Sequence, residues 1–267
     1  MAPRSFWKGY LKLSLVTCPV TMAPATSDSE KVRFHTLNAK TGNRVVSRHV
    51  DAVTGEAVRE EDEAKGYPRG EDGFVLLEEE ELESVALDST RTIDIETFVP
   101  AESIGWIWYD TPHYLSPADR VGEEAFSVIR EAMAATGTVG IARLVLYRRE
   151  RAVMLAPRGK GIVVWTLRYG DEVRDEADYF AGIAAEKPEA ALMKLIKQLI
   201  HDRKQPWSPE MVADPVQDRL LDIIAAKKKG RKRPAKAKAA PKSGGNVVSI
   251  MDALKKSLAA ETGRKAR

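Results

Sequence analysis

Apolar and polar residues alternate with a period of two in several stretches, as they do in half-buried strands. Across 10–16, Leu11, Leu13 and Leu15 take one face and Lys12 and Ser14 the other. Across 91–99, Ile93, Ile95, Thr97 and Val99 oppose Asp94 and Glu96. Residues 104–109 form a short aromatic run. Two further stretches, 139–147 and 152–155, flank Arg148-Arg149-Glu150-Arg151 and read as a hairpin. Another strand, 162–169, follows Pro157-Arg158-Gly159. Many strands with short links predict a closed or partly closed β-barrel.

A 3.6-residue period marks three helices. Ser116-Pro117 supplies an N-cap and a first-turn proline, and Val121, Ala125, Val128, Ile129, Ala132 and Met133 form one stripe before Gly137. Residues 188–202 carry Leu192, Leu195, Ile196, Leu199 and Ile200 on a second stripe. Asp214-Pro215 opens a third helix, with Val216, Leu220, Ile223 and Ile224 apolar and Lys227, Lys228 and Lys229 suited to its C-terminal dipole. Such stripes either pack on the chain's own core or embrace a second subunit or partner.

The stretch 34–77 behaves differently. It is polar and rich in turn signals, such as Lys40-Thr41-Gly42-Asn43 and Asp51-Ala52-Val53-Thr54-Gly55, so it contributes little core. It reads as an arm reaching away from the body. Residues 31–48 hold Lys31, Arg33, Lys40, Arg44 and Arg48 with no acid, whereas 56–102 is heavily acidic and includes Glu78–Glu81.

Charge divides the chain further. Residues 227–267 contain 14 Lys and Arg against 2 Asp and Glu, a net of +12. The whole chain has 42 against 39, which leaves 28 against 37, or −9, for residues 1–226. Terminal blocks of like charge are commonly disordered interaction arms, most often for nucleic acid. Beyond Gly230 the Lys, Arg, Ala and Pro composition cannot fold alone. Within it, Val247, Ile250, Met251, Leu254 and Leu258 recur at helical spacing and mark a short segment that becomes helical on docking. With no run of about 18 apolar residues, no membrane span is expected. The start of the chain does not read as a secretory signal. Cys18, the only cysteine, excludes an internal disulfide and reads as a small buried hydrophobe in a reducing cytoplasm.

Enzyme chemistry finds little footing: no GxxxxGK[ST] or GxGxxG phosphate loop, GxSxG elbow or HExxH motif occurs. His49 and Asp51 fit one strand face as a base and its orienter, but equally an ordinary surface pair; Asp110 and His113, placed in a Thr-Pro turn, read the same way. His35, His49 and Asp51 lack diagnostic metal-ligand spacing. Nucleic-acid binding has more support. The hairpin gathers Arg143, Arg148, Arg149 and Arg151, followed by Arg158 and Lys160. The tail segment 227–242 has nine cations, among them Lys227, Lys228, Lys229, Arg231, Lys232 and Arg233, and no acid. Six phosphate contacts would give a log–log salt slope of about −5. No helix-turn-helix, zinc-finger or RNP signature is present, so contacts confined to phosphates predict indifference to sequence. Two alternatives stand beside this reading: a general nucleic-acid or ribosome-associated protein bound through its tail, and an enzyme using His49 and Asp51.

The ordered series Arg4-Ser5-Phe6-Trp7-Lys8-Gly9-Tyr10-Leu11-Lys12-Leu13-Ser14-Leu15-Val16-Thr17-Cys18-Pro19-Val20 closely resembles the start of the bacterial Ku proteins. Phe34-His35-Thr36-Leu37, Lys65-Gly66-Tyr67, Thr92-Ile93-Asp94-Ile95 with Phe98-Val99, Tyr114-Leu115, 141–157, Thr166-Leu167 and Glu172-Val173-Arg174 continue the likeness over roughly 4–230. The end of the chain at 254–260 is similar too. The resemblance implies a mainly β fold with α extensions: a barrel core over 1–180 with a bridging arm at about 34–77, a helical region at 181–229 for dimer or partner docking, and a disordered basic tail at 230–267. It implies no catalysis and no cofactor, but a homodimeric ring that threads onto double-stranded DNA ends and recruits an ATP-dependent DNA ligase. Lys8, Lys12, Arg33, the arm's Lys40, Arg44, Arg48, Lys65 and Arg69, and the hairpin arginines then become candidate DNA contacts. Some family members carry cysteine pairs in the arm; this chain has His49 there and no cysteine, so a zinc-held arm is not expected.

Overall fold

The computed structural model describes residues 5–70, 73–85, 91–185 and 187–229. The chain divides into two units, the first comprising residues up to Glu30 and Phe34–Glu176, the second Lys31–Arg33 and everything from Ala177 onward.

The first unit is built on a closed seven-stranded barrel. Its strands are β1 (Trp7–Leu13), β2 (Val16–Pro24), β5 (Thr92–Pro100), β6 (Tyr109–Pro117), β7 (Thr138–Leu146), β8 (Arg149–Arg158) and β9 (Gly161–Leu167), in the order β1-β2-β6-β9-β8-β7-β5. Neighbours are antiparallel except at the closure, where β5 runs parallel to β1. Closure removes the exposed sheet edges that an open sheet would present. Gly9 permits it: a Cβ there would stand 2.1 Å from the Arg91 carbonyl oxygen, the acceptor of the Tyr10 N–H. Inward residues at alternate positions, including Leu11, Cys18, Val20, Met22, Ile93, Leu115, Leu144, Val153, Leu155 and Val164, form the core. Cys18 is fully buried, and burial pushes its thiol pKa up, followed by the nearby Asp119 charge. That environment suits a packing residue.

Several elements differ from the sequence reading, each for a local reason. The alternating stretch 10–16 is two strands: the chain reverses at Ser14 (φ 55°), and Leu15, 98% exposed, sits on the turn instead of the core face. A bulge between Ile95 and Thr97 shifts the register of β5, so Phe98, opposite Gly140, joins the face of Ile93 and Ile95 in place of Thr97. The aromatic run 104–109 is not a strand. A 3₁₀ turn at Ala101–Ser103 precedes it, and it forms a second at Trp106–Trp108, held where Arg168 donates to the carbonyls of Ile107 and Tyr109. The next strand, β6, has no clear alternation in sequence; Asp110 and His113 lie within it, not in a turn.

Helix α2 (Glu123–Thr136) begins seven residues after Ser116, because Ser116 and Pro117 are still paired with Thr21 and Val20 in the sheet. Asp119 instead organises the entry, its carboxylate accepting the Gly122 N–H at 2.8 Å. Gly137, in the left-handed region at φ 64°, closes the helix. The face that packs on the barrel is Phe126, Ile129 and Met133, while Val121 and Val128 are exposed.

The arm, 34–77, has no fully buried side chain among its described residues. Two turns of one design shape it. Asn38 accepts the N–H groups of Lys40 and Thr41, and Asp51 those of Val53 and Thr54, ahead of Gly42 and Gly55 with positive φ. Single bridges, Leu37 to Arg44 and Val50 to Ala57, close the two loops. A hairpin follows, β3 (Lys65–Pro68) with β4 (Phe74–Leu77), then the acidic helix α1 (Glu79–Ser84), whose run of glutamates carries no helical period in sequence.

The second unit contains α3 (Ala177–Phe180), α4 (Ala190–Arg203) and α5 (Pro215–Lys228). Asp214 caps α5 by accepting from Val216 and Gln217. None of this unit's described side chains is fully buried. The basic tail, with Arg231, Lys232, Arg233 and the apolar recurrence at 247–258, lies outside the described residues. Among those described, no helix is long and apolar enough to cross a membrane.

Candidate nucleic-acid interface

Strand alternation aims Lys8 and Lys12 of β1 outward, away from the buried Trp7 and Leu11. On the same outer surface β5 presents Asp94 and Glu96, β7 presents Arg143, and β8 presents Glu150. Register then pairs charges across the sheet. Lys12 lies opposite Asp94, with Nζ 2.6 Å from Oδ2. Arg143 reaches Glu150 at 2.9 Å and Glu96 at 3.5 Å. All five side chains stay roughly half exposed, so these pairs are weak.

The β7–β8 hairpin turns on two residues only. Tyr147 and Arg148 both have positive φ, 53° and 63°, the conformation that matches the twist of the flanking strands. Arg149 and Arg151, expected in a loop with Arg148, are therefore strand residues. They stand opposite Leu146 and Leu144, so they do not share a face with Arg143. Tyr147, 85% exposed, marks the tip. Arg148 lies 3.6 Å from Glu83 of α1, and the Arg151 guanidinium sits 5.5 Å from the centre of the Tyr169 ring. The only signal for the arrival of α1 was the run Glu78–Glu81, and nothing in it pointed to the hairpin.

The arm cations are distributed along its length. Lys40 occupies the first turn, Arg44 and Arg48 follow it, Lys65 opens β3 and Arg69 stands at the β3–β4 turn; all are exposed. Among the described residues none of these five makes an ion pair, whereas Arg59 is taken up by Glu61 and Asp62. Arg33 groups with the second unit, as do Lys227 and Lys228 in the last turn of α5 and Lys229 at its C-cap.

The side chains considered for catalysis are engaged elsewhere. His49 bonds Glu63, Nδ1 to Oε1 at 2.7 Å, and not Asp51. Asp51 is held below the usual carboxylate pKa by the Thr54 and Val53 N–H groups of its own turn. Among the described residues no cluster of His, Cys, Asp or Glu has the form of a metal site.

A seven-stranded closed barrel, a polar arm without core and exposed arm cations thus occupy one unit. Residues 12–195 match the Ku70/Ku80 beta-barrel domain. The chain belongs to the Ku family. The non-homologous end joining protein Ku of Methylocella silvestris is 65% identical over 261 residues, covering 97% of this chain and 96% of that one. The protein of the same name from Gluconacetobacter diazotrophicus is 65% identical over 264 residues, covering 97% and 98%. The Archaeoglobus fulgidus Ku is 34% identical over 258 residues, covering 96% and 99%. Among solved structures, the SPOC domain of human PHD-finger protein 3 matches at a TM-score of 0.30 and 8% identity, covering 62% of this chain and 97% of that one, too slight a likeness to carry an argument. The Ku barrel is accordingly the frame on which the outward Lys8 and Lys12, the hairpin tip and the arm cations are mounted.

Proposed function

We propose that this chain binds double-stranded DNA ends without regard to sequence, as a homodimeric ring, and recruits an ATP-dependent DNA ligase for non-homologous end joining. One observation carries the reading: near-complete alignment with non-homologous end joining Ku proteins, on a barrel whose arm is too polar to fold inward. A ring holds DNA by topology, so it needs no base-reading element and few contacts. Its two-fold symmetry lets each protomer cover half the duplex. Phosphates would be met by Lys8, Lys12, Arg143, Arg148, Arg149 and Arg151 of the barrel, by Arg33, by the arm's Lys40, Arg44, Arg48, Lys65 and Arg69, and by Lys227, Lys228, Lys229, Arg231, Lys232 and Arg233 at and beyond α5. The carboxylates beside Lys12 and Arg143 fit a surface that releases DNA readily and lets a ring slide. No step in this activity calls for a catalytic group or a cofactor.

A competition between linear duplex and covalently closed circles of the same length, across a salt series, tests the topology. Linear DNA is expected to be retained at salt that strips the circles. Equal retention of both would end the threading reading.

A further inference from the structure

Helix α1 is the most acidic segment of the described chain, with Glu79, Glu80, Glu81 and Glu83 in six residues. It does not float free of the barrel. Together with Lys65 and the β7–β8 hairpin tip it lines an open pocket of about 270 Å³, shared by Glu79, Glu83, Tyr147, Arg148 and Arg149. Three cations from two distant parts of the chain thus line the same pocket as two carboxylates, and one pair, Arg148 and Glu83, stands 3.6 Å apart. The helix is fixed by its own reciprocal cap, in which Glu78 and Glu81 bond each other's backbone N–H, so those two acids are structurally occupied while Glu79 and Glu83 remain for the hairpin.

The strength of the contact decides its meaning. A pair separated by 3.6 Å, with side chains 63% and 59% exposed, contributes little to folding. A structural brace would be shorter and more buried. A carboxylate laid weakly against Arg148, with Arg149 on the same pocket, does suit exchange, because a phosphate diester offers the same guanidinium group an equivalent acceptor with a second one close behind it.

We propose that α1 is a built-in counter-anion for the hairpin tip: Glu79 and Glu83 cover Arg148 and Arg149 until DNA phosphates replace them, which raises the threshold for loading. This rests on the DNA-binding reading and adds a regulating element to it. The device would leave dense, duplex phosphate arrays able to displace the helix while isolated anions cannot.

The test is a double-mutant cycle on the full chain, read by fluorescence anisotropy with a labelled linear duplex near 0.15 M salt. Glu79→Gln with Glu83→Gln is expected to tighten binding about 3- to 10-fold, as when one or two added phosphate contacts are made available. The same pair of substitutions in an Arg148→Ala, Arg149→Ala background is expected to change affinity less than 2-fold, since the partners are gone. No gain in the first background, or an equal gain in both, overturns the proposal, the second by showing a mere effect of net charge. Failure of the unsubstituted chain to bind linear duplex would instead remove the DNA-binding reading itself.

Discussion

His113 shows how one buried group can tie stability to pH. It lies inside β6, 6% exposed, with the Phe6 ring 5.4 Å from its own and Nδ1 buried with no hydrogen-bond partner among the described residues. Burial pushes its pKa below the ordinary imidazole value of 6.5. The unfolded chain therefore takes up a proton that the folded one refuses. Stability conferred by the neutral ring is complete above about pH 6.5 and declines as pH falls from there toward the depressed folded pKa. Thermal unfolding followed from pH 7.5 to 5 should show that decline, and His113→Gln should flatten it. An unchanged slope in the variant would assign the effect to other groups. Nothing in the spacing of Asp110 and His113 announces this, because the burial of His113 depends on strands β2 and β9 on either side, while Asp110 stays exposed.

Among the elements, the arm separates binding from folding most cleanly. It has no fully buried described side chain, and its loops are closed by their own Asn38 and Asp51 turns. Replacing Lys40, Arg44 and Arg48 by Ala should leave the unfolding midpoint of the barrel where it was. If each cation meets one phosphate, the log–log salt slope should shrink by about 2.7, at roughly 0.9 per contact. Loss of folding cooperativity would show that the arm is part of the core; an unaltered slope would show that its cations never reach DNA. The hairpin teaches a related lesson. Four charged residues in a row, Arg148-Arg149-Glu150-Arg151, looked like a loop, yet only Tyr147 and Arg148 turn and the strand resumes at once. Hydropathy cannot see this, since an outward-facing or rim position of a barrel strand tolerates charge.

For the molecule as a whole, the second unit poses the clearest physical question. Its 14-residue helices α4 and α5 carry apolar stripes, but none of its described side chains is fully buried. Isolated helices of this length are marginal in water, so a covering surface accounts for them better than propensity does. The tail bears a net charge of +12 from Lys227 onward, and a body of −9 carries it. Deleting 230–267 from the chain should preserve the preference for linear over circular DNA while making the salt slope shallower by several units. A truncated protein unable to hold linear duplex would place all binding in the tail and contradict a ring.

Period-two alternation in 91–99 and 139–147, the Asp214-Pro215 helix start and the charge break at Lys227 could each be read locally, because each depends on neighbours within a few residues. Barrel membership, the arm's lack of core and the family followed from such signals and from the ordered likeness at the start of the chain. Other features needed distant parts of the chain to meet. The parallel closure of β1 on β5 uses Gly9 against Arg91, and the bulge that puts Phe98 on the face of Ile93 and Ile95 is set by pairing with β7. The matching of Lys12 by Asp94 and the seating of α1 over Arg148 join residues more than 60 positions apart. Short-range periodicity carries no information about such registers, so only folding decides which cations are already neutralised and which remain open to phosphate.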